Sequence, residues 1–367
     1  MARRGTRKVD YLLLSLFLFL LLGIGIIVLA SASSDLGKIH HDDPYYYLKD
    51  QIIFGIGVGA IGFLLGYLFD YRLYKKLATV ILLVSLGLLL VLFTPLGAEA
   101  GGAQRWILVG PFSIQPSELL KLTMVLYLAA WLSSEKRASR EKSFSEGLIP
   151  FASIVGFVCL ILLLQNSTSA AAIIAFVSLL VYWTAGARLT FVGIMLMVGG
   201  LLLAGFIVST PYRLDRVRTF LDPSIDVQNT SYQVNQSLTV IGSGGLWGVG
   251  YGRSIAKGSL PERMGDSIFA IIAEEFGFIG ALVVIFSFLA FTIRGFMLAR
   301  KTRDKFGRMV LVGLSSVIGL QAFVHIGSAS ALIPTTGVPL PFISYGNFSL
   351  AVFMTMVGIM LNVQRNS

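Results

Sequence analysis

Few residues in this chain can do chemistry, and they fall at the edges of long apolar runs. Asp266 follows Leu260-Pro261-Glu262-Arg263 and opens the run Ser267-Ile268-Phe269-Ala270-Ile271-Ile272. An acidic group in the first helical turn gains from the helix dipole, which is the structural reading. The chemical reading is a carboxylate at the rim of an apolar segment, placed to act as a general base. Glu274 and Glu275 lie two turns deeper, with Glu274 about 80° around the helix from Asp266, so one polar stripe can hold both. Their plainer role is pairing with polar groups inside the protein. Glu118 and Lys121, three apart after Gln115-Pro116-Ser117, share one helix face as an ion pair. That pair is either a packing device or part of a polar site. A further six cations, Arg213, Arg216, Arg218, Arg253, Lys257 and Arg263, lie in residues 210–265 beside Asp215, Asp222, Asp226 and Glu262.

These groups must be positioned by apolar helices. The chain has 367 residues, 55% hydrophobic and 13% charged, where a soluble domain has about a quarter charged. With a mean hydropathy of +0.80, a water-soluble globule is excluded. Apolar runs bounded by charges and turn residues predict ten membrane spans, at about 11–32, 52–69, 77–95, 117–133, 147–165, 170–185, 190–209, 266–293, 308–331 and 343–363. The first run follows four basic residues and is of spanning length without a small-residue cleavage site, so it reads as a retained anchor. The expected fold is an all-α polytopic membrane protein, one domain over residues 1–367.

Loop charge sets the orientation. With the N-terminus in the cytoplasm, the cytoplasmic segments hold 19 Lys and Arg, Lys136 and Arg137 among them. The short external loops hold 3, namely Lys38, Lys49 and Arg105. This predicts both termini inside. The formal net charge of +10 is thus mostly a topology signal, and nucleic-acid binding is not expected. The stretch between spans seven and eight, about 210–265, then becomes a long external loop, the kind of connection that usually carries function.

Other polar features read as structural. The glycines of Gly242-Ser243-Gly244-Gly245-Leu246-Trp247-Gly248-Val249-Gly250-Tyr251-Gly252 lack the strand–helix context of a nucleotide loop and predict a flexible re-entrant or interfacial hairpin. His40, His41 and Asp42 are adjacent and diverge, His325 is alone in span nine, and Cys159 lies inside an apolar run. No protein metal site or disulfide is predicted.

In order along the chain come Arg105-Trp106-Ile107, Gln115-Pro116-Ser117-Glu118, Arg213 through Pro223, Tyr232-Gln233, Gln236-Ser237-Leu238 and Ile241-Gly242-Ser243-Gly244-Gly245. Leu260-Pro261-Glu262, Asp266 with Ile268-Phe269-Ala270, Glu274-Glu275, Pro334-Thr335-Thr336-Gly337 and Pro341-Phe342-Ile343-Ser344-Tyr345-Gly346 follow. This order resembles the SEDS family (shape, elongation, division and sporulation). The Tyr-Gln and Gln-Ser-Leu segments lean to its division-type FtsW branch, and Leu-Pro-Glu-Arg leans to the elongation-type RodA branch. Three stretches depart from the family pattern. Gln165-Asn166-Ser167 stands where a Gln-Pro-Asp is usual, Met264-Gly265-Asp266-Ser267 where the family has His-Thr-Asp-Phe, and Gly346-Asn347 where it has Gly-Gly.

The resemblance implies a peptidoglycan glycosyltransferase that polymerises lipid II on the outer face of the cytoplasmic membrane. By that likeness Asp266 matches the family's essential aspartate and takes the proton from the acceptor hydroxyl. The departing polyprenyl pyrophosphate needs positive charge, from Arg and Lys or from a divalent cation such as Mg2+ or Mn2+. Arg216 and Lys257 are the first choices, then Arg213 and Arg263, with Glu118, Lys121 and Ser344 also placed at the substrate. The implied partner is a single-span class B penicillin-binding protein, a transpeptidase. A lipid II flippase, or a scaffold that activates the transpeptidase, are the competing expectations.

Overall fold

A computed structural model describes residues 2–100, 103–110, 112–134, 140–222, 230–254, 256–258 and 260–367. Lys136, Arg137, Pro223 and Asp226 lie outside these residues. Among the described residues, eight helical segments are long and apolar enough to cross a membrane, so this is a multi-pass membrane protein. They start at α1 (Ala2–His41) and at the segment formed by α2 (Tyr46–Asp50), a π-turn and α3 (Gly57–Leu68). α4 (Tyr71–Val91), α6 (Ile149–Leu164) with the π-turn before it and α8 (Leu189–Val208) follow. The last three are α11 (Ile268–Lys301), α12 (Lys305–Ala329) and α13 (Asn347–Asn366). The other two expected spans fall on α5 (Pro116–Leu132) and α7 (Thr168–Thr184), each of 17 residues. At about 1.5 Å per residue each is some 26 Å long, short of the roughly 30 Å hydrocarbon core. Both are central: α5 packs against α4, α7 and α12.

Close backbone approach holds the centre together. α3 lies along α13, where a Cβ at Gly66 would stand 2.8 Å from the Thr355 carbonyl. Without a hydrophobic drive inside lipid, such small-residue contacts are how helices associate. The window that would cross the membrane is 89% buried in α13 and 6% buried in α8. The bundle therefore has a packed core and one nearly bare outer helix.

Three expectations change. The chain is not purely helical: β1 (Gly97–Ala100), β2 (Ala103–Val109) and β3 (Phe112–Ile114) form an antiparallel sheet in that order, with Ile107 opposite both Gly97 and Ile114. The stretch at 210–265 is not an open loop, since it contains α9 (Pro211–Leu221) and α10 (Thr230–Ser243). Asp266 is not in the first turn of α11. The Gly265 and Ser267 N–H groups both donate to the Glu262 carbonyl, so residues 262–267 make a tight turn ahead of the helix. The stripe shared by Asp266 and Glu274 consequently does not form.

α11 is itself broken at Gly277, whose φ of 68° and ψ of −168° leave the helical region. The glycine-rich stretch repairs the break. Val249 and Gly250 donate to the Glu274 and Glu275 carbonyls at 2.9 and 3.1 Å, and Phe278 donates to Gly245 at 2.9 Å. What these glycines build is a hydrogen-bonded patch on an interrupted helix. Inside lipid every backbone group must find such a partner.

Candidate active site

The turn at 262–267 presents Asp266 immediately ahead of the start of α11. Its base is held from behind by residues 340–345. The Ser344 hydroxyl donates to the Gly265 carbonyl at 2.8 Å and accepts from Leu340 N–H at 2.8 Å. Tyr345 N–H donates to the Met264 carbonyl at 2.9 Å. Ser344 is therefore a support for the turn. The Tyr345 hydroxyl and the Asn347 amide both donate to Asp50, each at 2.6 Å.

On the open side of the turn, Asp266 meets the stretch Ile333–Pro339. At Gly337 (φ 65°) a Cβ would stand 3.5 Å from the Asp266 carboxylate and 3.6 Å from the Arg105 guanidinium. This left-handed glycine without a side chain lets acid and base approach one point. Arg216, on α9, donates to the Thr335 carbonyl at 2.9 Å, one residue along the same ridge from Thr336. Arg105, on β2, donates to the Asn166 carbonyl at 2.5 Å. Asp266 is half-buried, and desolvation by the surrounding protein, aided by Glu262, raises its pKa to about 6 against the pull of Arg105 and Arg216. A carboxylate that titrates there is a base at neutral pH with a usable affinity for a proton.

Beyond Gly337 the ridge opens on a cavity of about 530 Å³. Its polar end is lined by Arg105, Arg213, Arg216 and the Glu118–Lys121 pair, and its apolar wall by Phe176, Leu203, Ile207 and Leu320. Lys121 donates to Glu118 at 2.6 Å and to Gln321, whose amide in turn donates to the Pro339 carbonyl at 3.1 Å. The buried pair thus supports the ridge from below. Arg213 is spread over Thr168, Thr210, the Leu163 carbonyl and Asn166 at 2.8–3.0 Å, with Phe206 stacked on it. It ties α9 to the α6–α7 corner.

Of the residues picked from sequence, Asp266 lies beside Gly337 within the electrostatic reach of Arg216, while Arg216, Arg213, Glu118 and Lys121 line the cavity. Lys257 and Arg263 do not join them. Lys257 donates to Ser31 Oγ at 2.7 Å and pairs with Glu275 at 3.1 Å, on the side of α11 that faces α1. Arg263 donates to the Lys257 carbonyl at 2.6 Å, and its burial lowers its pKa. Glu274 receives the Ser254 hydroxyl. Sequence reasoning missed Arg105, which counted only as a loop charge. The Arg-Trp dipeptide among the ordered motifs was the available signal. Among the described residues, no three His, Cys, Asp or Glu side chains converge as a metal-binding group. Two carboxylates beside two guanidiniums do not make a metal site of their own.

A carboxylate with raised pKa, guanidiniums beside it and a cavity with one polar end and one apolar wall thus come together in one place. The chain belongs to the family of cell cycle proteins that comprises FtsW, RodA and SpoVE, matching its family model over residues 11–367. It is 37% identical over 340 residues to the stage V sporulation protein E of Bacillus subtilis (strain 168), covering 92% of each chain. It is also 37% identical over 335 residues to a probable peptidoglycan glycosyltransferase FtsW of Geobacter metallireducens, covering 91% of this chain and 88% of the relative. Among solved structures it is similar to a chain described under "Structural coordination of polymerization and crosslinking by a peptidoglycan synthase complex", with a TM-score of 0.80, 26% identity and 96% and 97% coverage. The rod shape determining protein RodA of Thermus thermophilus superposes with a TM-score of 0.68, at 27% identity and 96% of each chain.

Proposed function

We propose that this protein is a peptidoglycan glycosyltransferase that polymerises lipid II at the outer face of the cytoplasmic membrane. Its single membrane domain crosses ten times with both termini inside. α5 and α7 complete the ten, shielded at their ends by the rest of the bundle. The observation that carries the reading is Asp266, half-buried with a raised pKa and flanked by the charges of Arg105 and Arg216, at the edge of a mainly apolar cavity with one polar end. The names of the relatives support the same activity.

The chemistry follows from that arrangement. The Asp266 carboxylate accepts the proton of the acceptor sugar hydroxyl. The freed oxygen attacks the anomeric carbon of the donor chain, a new glycosidic bond forms, and the bond to the pyrophosphate breaks with its electron pair. Polyprenyl pyrophosphate leaves. Arg216 and Arg105 stand where that growing charge needs stabilising in a low-dielectric site. The apolar wall suits a polyprenyl tail, and Glu118–Lys121 holds the ridge at the cavity floor. The partner is a class B penicillin-binding protein.

The test is glycan formation from labelled lipid II by the purified protein with its transpeptidase partner. Wild type and Asp266→Asn are compared with Mg2+ or Mn2+ present and absent. Polymer from wild type and none from a folded variant is the expected result. Equal polymer from both would remove Asp266 as the base, and none from either would move the reading to transport or scaffolding.

A further inference from the structure

Residues 334–339 of the ridge opposite Asp266 belong to no helix or strand, so their backbone is held by side chains of other elements. Gly337, which admits many backbone conformations, sits among them with φ 65°. Before it, the Ser169 hydroxyl at the start of α7 donates to the Thr336 carbonyl at 2.9 Å. After it comes His325 on α12, whose Nδ1 lies 2.8 Å from the Val338 carbonyl. A carbonyl only accepts, so Nδ1 carries the proton and donates. We propose that His325 is a positioning residue for the transfer reaction, keeping Gly337 seated against Asp266 and Arg105 through its bond to Val338. The inference rests on the polymerase reading of that site.

His325 shares one face of α12 with Gln321 and Ser328, at i, i+4 and i+7 spacing. The Gln321 amide donates to the Pro339 carbonyl at 3.1 Å, and the Ser328 hydroxyl accepts from the Thr336 N–H at 3.1 Å. One helix face thus grips the ridge on both sides of Gly337. His325 is 1% exposed, and its Nε2 is buried with no hydrogen-bond partner among the described residues. An unpaired polar atom in the interior is destabilising, so a position that served packing alone would carry an apolar side chain. What the imidazole supplies is the bond to Val338. A Cβ at Gly337 would stand 3.5 Å from the Asp266 carboxylate, so the ridge is part of the cover over that group. The charged groups facing the carboxylate are Glu262 on its own turn, Arg105 on β2 and Arg216 on α9, and burial is the largest influence on its pKa of about 6. Releasing the ridge at Val338 admits water, and the Asp266 pKa falls toward the ordinary carboxylate range. The acid limb of activity then moves to lower pH, opposite to the shift expected when a flanking guanidinium is lost.

The decisive experiment compares wild type with His325→Leu and His325→Phe, which remove the donor in two shapes, and with His325→Asn, whose amide keeps a donor near the place of Nδ1. Polymer formation from lipid II is followed against pH, with the partner bound. The two donor-free variants are expected to lose about 10–10²-fold in polymer per folded molecule, as misplacement by a fraction of an ångström does. Their acid limb is expected below that of wild type. His325→Asn is expected within about threefold of wild type, with the wild-type acid limb. A second arm needs no polymerisation: hydrogen–deuterium exchange of the free protein in lipid nanodiscs. The donor-free variants are expected to exchange about tenfold faster over residues 335–338, with α12 unchanged. An acid limb and ridge exchange like those of wild type would overturn the proposal. So would equal acceleration along α12, which marks a packing role, or a His325→Asn as impaired as His325→Leu. A wild type that makes no polymer would remove the polymerase reading, and the exchange arm would then decide the hold on the ridge by itself.

Discussion

Two charge clusters draw on residues of the 253–275 region, and they are built in opposite ways. Around Lys257, Glu275 and Ser31 the charges face one another: the ammonium has the carboxylate at 3.1 Å and the hydroxyl at 2.7 Å, between α1 and α11. Around Asp266 the charges converge on a glycine, and beyond that glycine is a cavity. The first cluster is closed and acts on the fold. The second leaves room for atoms that are not its own. Buried charge alone does not mark a site; buried charge with an open side does.

Substitutions can break or sharpen that contrast. The largest effect is expected from Asp266→Asn, which removes the base and should lower polymer formation by about 10²–10⁴-fold while thermal unfolding stays near wild type. Next is Lys257→Met, which strands Glu275 in the interior and is expected to lower stability by about 3–5 kcal/mol, read as an earlier melting transition in detergent. Activity per folded molecule should survive it, and a loss on the scale of Asp266→Asn would return Lys257 to the site.

Arg216→Gln should cost about 10²-fold in turnover with little change in melting. It also shifts the pH profile. On the proposed mechanism activity requires ionised Asp266, so it is expected to fall as pH drops through about 6. Removing a guanidinium that lowers this pKa should move that acid limb to higher pH, while the Lys257 variant leaves it in place. The smallest effect belongs to Ser344→Ala, which strands the Leu340 N–H and should cost about 1–3 kcal/mol in stability.

The apolar periodicity of this chain made its helices legible, because a run of twenty apolar residues has few other fates. It did not show that α9 and α10 would form, since their stretch is polar and its order comes from docking on the bundle. Asp266 was legible from its place before an apolar run and from the order of motifs around it. The turn that presents it was not, because it depends on Glu262 in left-handed conformation (φ 47°) and on support from Ser344, which bonds Gly265 from 79 positions away. Lys257 and Arg216 read alike along the chain, two cations in one polar stretch. Only their partners, 226 residues away for Ser31 and 119 for Thr335, separate them.

The break in α11 has a consequence for exchange kinetics. The amide protons of Phe278 and Ile279 are bonded to carbonyls of Gly245 and Leu246, outside their own helix. Their hydrogen–deuterium exchange therefore reports the detachment of the glycine-rich patch, whereas their neighbours deeper in α11 report the unfolding of the helix. Two adjacent amides in one span become an unlabelled clock for the opening of the segment that links α10 to the Asp266 turn.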